Sequence, residues 1–325
     1  MKKILLVLSL FVIFLLPVTT SAAPLDEIKT YVEDNYVGHI NGDLQQATTI
    51  EQVIDMLDPY STYYTAEQFD QFMNSINMTS VGIGIVIEQH EKGILIQDVI
   101  ENGSAFTEGV EVGDIITHIN GSSTVGLSTS DASSRILGKE NTTVTLTFLK
   151  ANGQSVTKTL TRKPFSLPNV TSKLMYGHVG YISLASFSLD AASLIKKAIR
   201  DLTAKGATSF ILDLQDNGGG YVSAAEDVIG LFPKAKSAYT YKDALGEEIV
   251  YAKRQSLQFP PDTRVLINRY SASASEMTAA ALADQKAAIL YGERTYGKGT
   301  MQSFYELSDG SYLKLTMAQF AGPIE

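Results

Sequence analysis

Arg264-Val265-Leu266-Ile267 runs, after three residues, into Ser271-Ala272-Ser273-Ala274-Ser275-Glu276. About two dozen residues later the chain reaches Tyr296-Gly297-Lys298-Gly299 and then Gln302. The first four residues have the apolar, β-branched character of a short buried strand. The small hydroxyl residues behind them suit the start of a helix. The same junction recurs upstream, where Ser209-Phe210-Ile211-Leu212-Asp213-Leu214 runs into Asn217-Gly218-Gly219-Gly220. Val179 to Leu184 reads as a strand, Ala191 to about Lys205 as an amphipathic helix, Ala279 to Lys286 as helical and Ala288 to Tyr291 as a strand. This alternation predicts an α/β core over residues 166–325, with function at its strand-to-helix junctions.

Outward from that core the pattern changes. Ser80 to about Arg162 is a series of short strand patterns: Ile83 to Ile87, Gly93 to Ile96, and Asp114 to Ile119 ending in the turn pair Asn120-Gly121. Thr143 to Phe148 and Ser155 to Leu160 flank Asn152-Gly153 as a hairpin, and Pro164 and Pro168 mark a linker. Leu25 to about Met78 carries apolar residues at helical spacing, punctuated by Asp58-Pro59-Tyr60-Ser61, with a capped helix start at Thr65-Ala66-Glu67-Gln68. At the N-terminus Lys2 and Lys3 precede an apolar run from Ile4 to Leu16, and Thr20-Ser21-Ala22-Ala23 offers small residues for cleavage. The run is shorter than the ~20 residues of a spanning helix, so residues 1–23 read as a signal peptide. Uncleaved, the segment would be a membrane anchor.

The chain has no cysteine, which excludes disulfides, a thiol nucleophile and thiolate metal sites. Its net charge of −9, without a basic stripe, argues against nucleic acid as a partner. The four histidines (His39, His90, His118 and His178) are scattered, with no pair at metal-ligand spacing.

The serine cluster permits nucleophilic chemistry without histidine. A hydroxyl near a helix N-terminus sits beside unpaired amides that favour developing negative charge. A neutral lysine can take its proton. Lys298 must then lose its charge near pH 7 against an ordinary value of about 10.4, as burial beside helix-end amides allows. Gln302 can orient the amine, and Gly218-Gly219-Gly220 lets main chain approach a reacting carbonyl. The plainer reading is that the serines cap a helix, the glycines turn the chain and the lysine is solvated. Ser193-Leu194-Ile195-Lys196 matches an acyl-enzyme S-x-x-K pattern, but no Ser-Asp-Asn or Lys-Thr-Gly accompanies it. Asp213 to Ala224 lacks the final Glu of a calcium loop.

The run from Ser271 through Ala281-Leu282-Ala283-Asp284 to Gly292-Glu293-Arg294-Thr295-Tyr296-Gly297-Lys298-Gly299-Thr300-Met301-Gln302 closely resembles the carboxyl-terminal processing peptidases, the tail-specific serine proteases of family S41. Asp213 to Gly220 resembles that family's oxyanion segment, and Leu57 to Tyr63 its motif ahead of the PDZ domain. Gly82-Ile83-Gly84, Gly103-Ser104-Ala105 and Gly109 to Ile116 resemble the PDZ domain itself.

The resemblance implies an α/β protease core (ClpP/crotonase-like, S41 type) over 166–325, an inserted β-rich PDZ domain over 80–165 and an N-terminal helical module over 24–79. It assigns the nucleophile to Ser273, the general base to Lys298 and the base's orienting partner to Gln302. The oxyanion donors fall to Ala274 with Gly219 or Gly220, and Asp284 takes a supporting role. Gly82, Ile83 and Gly84 become the loop that binds a peptide's terminal carboxylate. The implied protein is an exported serine endopeptidase, extracytoplasmic, with no metal or organic cofactor. Its partners would be proteins or peptides with accessible C-termini, an activating or adaptor protein, and a second copy in a homodimer. Two departures stand out. Leu137 precedes Gly138 where the family often has arginine, and the family continues with further strands beyond Glu325, so the C-terminal part of the core is expected to be missing. The competing reading is a non-catalytic PDZ-bearing binding protein on an S41 scaffold. Loss of Ser273, Lys298 or Gln302 would mark it, and all three are present.

Overall fold

The computed structural model describes residues 24–323. The signal peptide expected over residues 1–23 lies outside the described residues.

The core sheet has five strands. Val179–Leu184, Ser209–Asp213, Arg264–Ile267 and Ile289–Gly292 run parallel in that order, and Val170–Met175 is added antiparallel beside the first. Parallel neighbours need helical crossovers, and Ala191–Ala204 and Ala274–Asp284 supply two of them. Ala191, Ile195, Ala198, Ile199 and Leu202 recur at helical spacing, so the first buries one face against Ile182, Leu184 and Phe210. The second starts five residues earlier than its apolar pattern suggests. It is buried on nearly every side by small residues, which leaves little periodicity to read. Thr278 joins that interior by donating its hydroxyl to the Ala274 carbonyl at 2.8 Å.

A second sheet, not foreseen from the sequence, is built around the long strand Tyr312–Ala321. Thr300–Glu306, Ser237–Lys242 and Thr62–Tyr64 all pair with it, and Glu247–Tyr251 extends the far side. The expectation of a purely helical N-terminal segment is thereby corrected. Helices Pro24–Asn35, Ile50–Asp55 and Ala66–Ile76 are present, but Thr62–Tyr64 leaves them to form an edge strand. The buried Ile28, Val32 and Val53 pack in one cluster with Leu313 and Leu315 of the long strand. The first and last parts of the described chain therefore share a core.

The middle of the chain is an antiparallel sheet in the order Ile85–His90, Gly93–Val99, Ile115–Ile119, Thr143–Leu149, Ser155–Thr161. Helix Thr129–Ile136, capped by Ser128, packs on it through Ala132 and Ile136. Asn120 and Gly121 both adopt positive φ (48° and 79°), the turn their dipeptide predicts. The Pro164–Pro168 linker is also corrected. Lys163–Ser166 pairs with Thr79–Gly82, and this two-stranded ribbon tolerates Pro164, which lacks an amide.

Candidate active site

Ser273 ends the loop from the core strand Arg264–Ile267 and caps helix Ala274–Asp284. Its φ of 54° and ψ of −113° lie where L-residues are strained by about 1–3 kcal/mol. The three serines of the cluster differ sharply. Ser271 and Ser275 are wholly buried, donating their hydroxyls to the carbonyls of Leu214 (2.7 Å) and Asn217 (2.9 Å). Ser273 is half-buried and lines a cleft of about 370 Å³ together with Gly219, Gly220, Lys298 and Gln302.

The glycine segment approaches the nucleophile's turn closely. A Cβ on Gly219 would stand 2.8 Å from the Ala272 carbonyl oxygen and 2.9 Å from Ser273 Cβ, so no larger residue fits. Asn217, fully buried, braces this contact. Its carbonyl accepts the Ala272 amide at 3.0 Å, and its side chain donates to the Leu184 carbonyl at 2.9 Å. Asn217 Oδ1 also accepts the Gly219 amide at 2.8 Å. Among the described residues, by contrast, the amides of Ala274 and Gly220 have no hydrogen-bond acceptor.

Lys298 enters the cleft half-buried, its Nζ 5.1 Å from the centroid of the Tyr60 ring. Burial pushes its pKa below the ordinary lysine value, and the like charge of Lys314 lowers it further against the opposing pull of Asp58 and Glu276. Gln302 does not hold the amine here. Its Nε2 donates to the hydroxyls of Thr300 at 2.9 Å and Thr316 at 3.2 Å. A bulge between Met301 and Gln302 turns both residues to the cleft.

Glu276 joins the two halves of the site. Its carboxylate accepts the amides of Ser273 (2.8 Å), Gly297 (2.6 Å) and Lys298 (2.9 Å). One side chain thus ties the strained serine turn to the lysine loop with charge-assisted bonds. Asp284 lies elsewhere. It closes the far end of the helix that Ser273 caps, about 16 Å away at 1.5 Å per residue, and it does not line the cleft.

Ile83 and Gly84 line a separate small pocket of about 30 Å³, walled by apolar residues including Ile85, Ile136, Leu137 and Phe165. Gly82 does not line it and pairs with Lys163 in the two-stranded ribbon. A Cβ on Gly82 would stand 2.8 Å from Leu137 Cδ2, so the glycine makes room for the leucine. Gly84 adopts φ 77° with its Cα against Gly103, another position closed to a side chain.

The family model described as peptidase family S41 matches residues 178–324, which span both the glycine segment and the serine–lysine site. The chain carries a peptidase domain of family S41. A PDZ domain model matches residues 72–149 of the same chain. The carboxy-terminal processing protease CtpA of Bacillus subtilis is 33% identical over 291 residues, covering 86% of this chain and 62% of its own length. A probable CtpA-like serine protease of Staphylococcus aureus is 31% identical, with 89% and 59% covered. The S41 chain therefore spans about three fifths of the length of these curated relatives. Among solved structures, the photosystem II D1 C-terminal processing protease superposes with a TM-score of 0.54 at 26% identity, covering 92% of this chain and 88% of that one. An S41 protease from Bacteroides fragilis shares the fold, with a TM-score of 0.58 at 16% identity, covering 91% and 85%.

Four residues of this S41 site escape a reading by motif chemistry alone: Asn217, Glu276, Tyr60 and Lys314. Glu276 carried a usable signal, since an acidic residue three positions after a hydroxyl helix cap is the pattern of a capping box. Tyr60 and Lys314 carried none, because the strand Thr62–Tyr64 that follows the turn of Tyr60 pairs with the strand of Lys314 across some 250 residues of sequence.

Proposed function

We propose that this chain is a serine endopeptidase in which Lys298 acts as general base for Ser273. The observation that carries the reading is the convergence in one cleft of a serine in a strained turn and a lysine whose charge is disfavoured, with Glu276 bonded to both backbones. Neutral Lys298 takes the Ser273 Oγ proton as the oxygen attacks a peptide carbonyl. The amides of Ala274 and Gly220 receive the oxyanion, and the Gly219 amide joins them only if it leaves Asn217 Oδ1. The ammonium of Lys298 then protonates the departing amine. Water, deprotonated by the same lysine, attacks the acyl carbon, and as the bond to Ser273 Oγ breaks the lysine returns that proton to the serine. Gln302, now bonded to Thr300 and Thr316, orients the amine after a change of side-chain rotamer. Asp284 serves only to hold the helix end.

In this reading residues 1–23 direct export and the protease works outside the cytoplasm. Residues 24–79 form the N-terminal module, 80–165 the PDZ domain and 166–325 the protease core. The PDZ domain captures the C-terminal tail of a protein substrate at Gly82-Ile83-Gly84, adding the tail as a strand. The apolar walls of its pocket favour an apolar last residue. Mass spectrometry of an unstructured polypeptide after incubation is the test: wild type should produce fragments, and Ser273→Ala and Lys298→Ala should produce none.

A further inference from the structure

The cleft holds a second lysine that the hydrolytic steps leave unused. Lys314 lies on the strand Tyr312–Ala321, whose Leu313 and Leu315 are buried, so Lys314 and Thr316 face the opposite side. Across the ladder Thr316 pairs with Gln302 and Lys314 with Phe304, which sets the lysine two pairs along from Gln302 on the cleft wall. Its ammonium donates to the Tyr64 hydroxyl at 3.1 Å. It also lies 5.2 Å from the Phe72 ring centroid and 5.4 Å from that of Tyr64. These are neutral partners that favour a cation without cancelling its charge.

No carboxylate among the described residues forms an ion pair with Lys314. Asp58 acts on it only through space, and Asp58 Oδ1 is occupied by the amides of Tyr60 and Ser61 in its own turn. Among the described residues, Lys298 and Lys314 are the only ones with ionisable side chains that line the cleft. Burial works against the Lys314 charge, and with no acid lining the cleft its protonated form is best met by an anion from the substrate. The anions that a polypeptide carries are carboxylates.

We propose that Lys314 is a specificity-determining residue that receives a substrate carboxylate, either an Asp or Glu side chain or the end of a short tail, in a subsite beside the scissile bond. This rests on the proteolytic reading of the same cleft.

The test uses N-terminally labelled peptides of one sequence. They carry Glu, Gln or Lys at successive positions around a cleavage site, each with a free or an amidated C-terminus. At one position wild type should prefer Glu to Gln by at least about tenfold in kcat/KM. Lys314→Arg should keep that preference, Lys314→Met should reduce the ratio to near one, and Lys314→Glu should favour the Lys peptide. If amidation, and not the change of Glu to Gln, costs wild type that factor and Lys314→Met removes the difference, the occupant is the chain-end carboxylate. Fluorescence anisotropy of the same peptides on Ser273→Ala, with and without Lys314→Met, gives the same ratio without turnover. Any PDZ contribution is common to that pair and cancels. Equal handling of Glu and Gln at every position, together with equal handling of free and amidated C-termini, overturns the subsite and leaves the protease reading standing. Absence of all cleavage overturns the protease reading, and the anisotropy ratio still decides the subsite.

Discussion

At the scale of single residues, Glu276 explains how a strained serine turn persists beside a mobile type of side chain. Three amides converge on one carboxylate, and each such bond to a charged group is worth about 1.5–3 kcal/mol. Glu276→Gln replaces one acceptor oxygen with a donor facing an amide. It should lower kcat/KM about 10²-fold while circular dichroism stays native. Lys298→Arg should be as inactive as Lys298→Ala, because a guanidinium stays protonated and cannot act as base. The pH profile follows from the direction of the lysine's shift. With Lys298 as the proposed base its neutral form is the active one, so kcat/KM should rise with pH through a midpoint below the ordinary lysine value. Lys314→Met removes a neighbouring positive charge and makes protonated Lys298 less costly. The midpoint should therefore move to higher pH, measurable with substrates that do not titrate in that range.

At the scale of elements, the N-terminal segment is part of the cleft. The turn at Asp58–Ser61 brings Tyr60 against Lys298, and the short strand that follows brings Tyr64 to Lys314. Tyr60→Phe keeps the ring and should be nearly silent. Tyr60→Ala exposes the lysine, so kcat/KM should fall by roughly tenfold and the acid limb of the profile should move to higher pH. The parallel core was legible in the sequence because its strands and the helix Ala191–Ala204 obey local periodicity. The second sheet was not, because Thr62–Tyr64 and Tyr312–Ala321 are specified only by each other's position in space. The same reason separates legible site residues from hidden ones. Ser273, Lys298 and the glycine segment sit in local motifs, whereas Tyr60 and Lys314 are assembled by long-range pairing. Gln302 was legible as a neighbour of the lysine, but not its present bonds to Thr300 and Thr316, which depend on a bulge.

At the scale of the whole molecule, two sites sit on one chain: a small apolar pocket beside Leu137 and a larger cleft lined by two lysines. A pocket of about 30 Å³ holds about one water, so if a tail binds there as proposed, a bulky last side chain requires its apolar walls to move. Amidating the C-terminus of a long unstructured substrate should raise KM more than it lowers kcat if tail capture precedes cleavage. The central claim is that Ser273 and Lys298 form a working pair. It is tested most directly by incubating one unstructured polypeptide with wild type, Ser273→Ala and Lys298→Ala, each checked for native folding, and reading the fragments by mass spectrometry. The pair predicts cleavage by wild type alone. Equal fragments from either variant, or none from wild type, would contradict it.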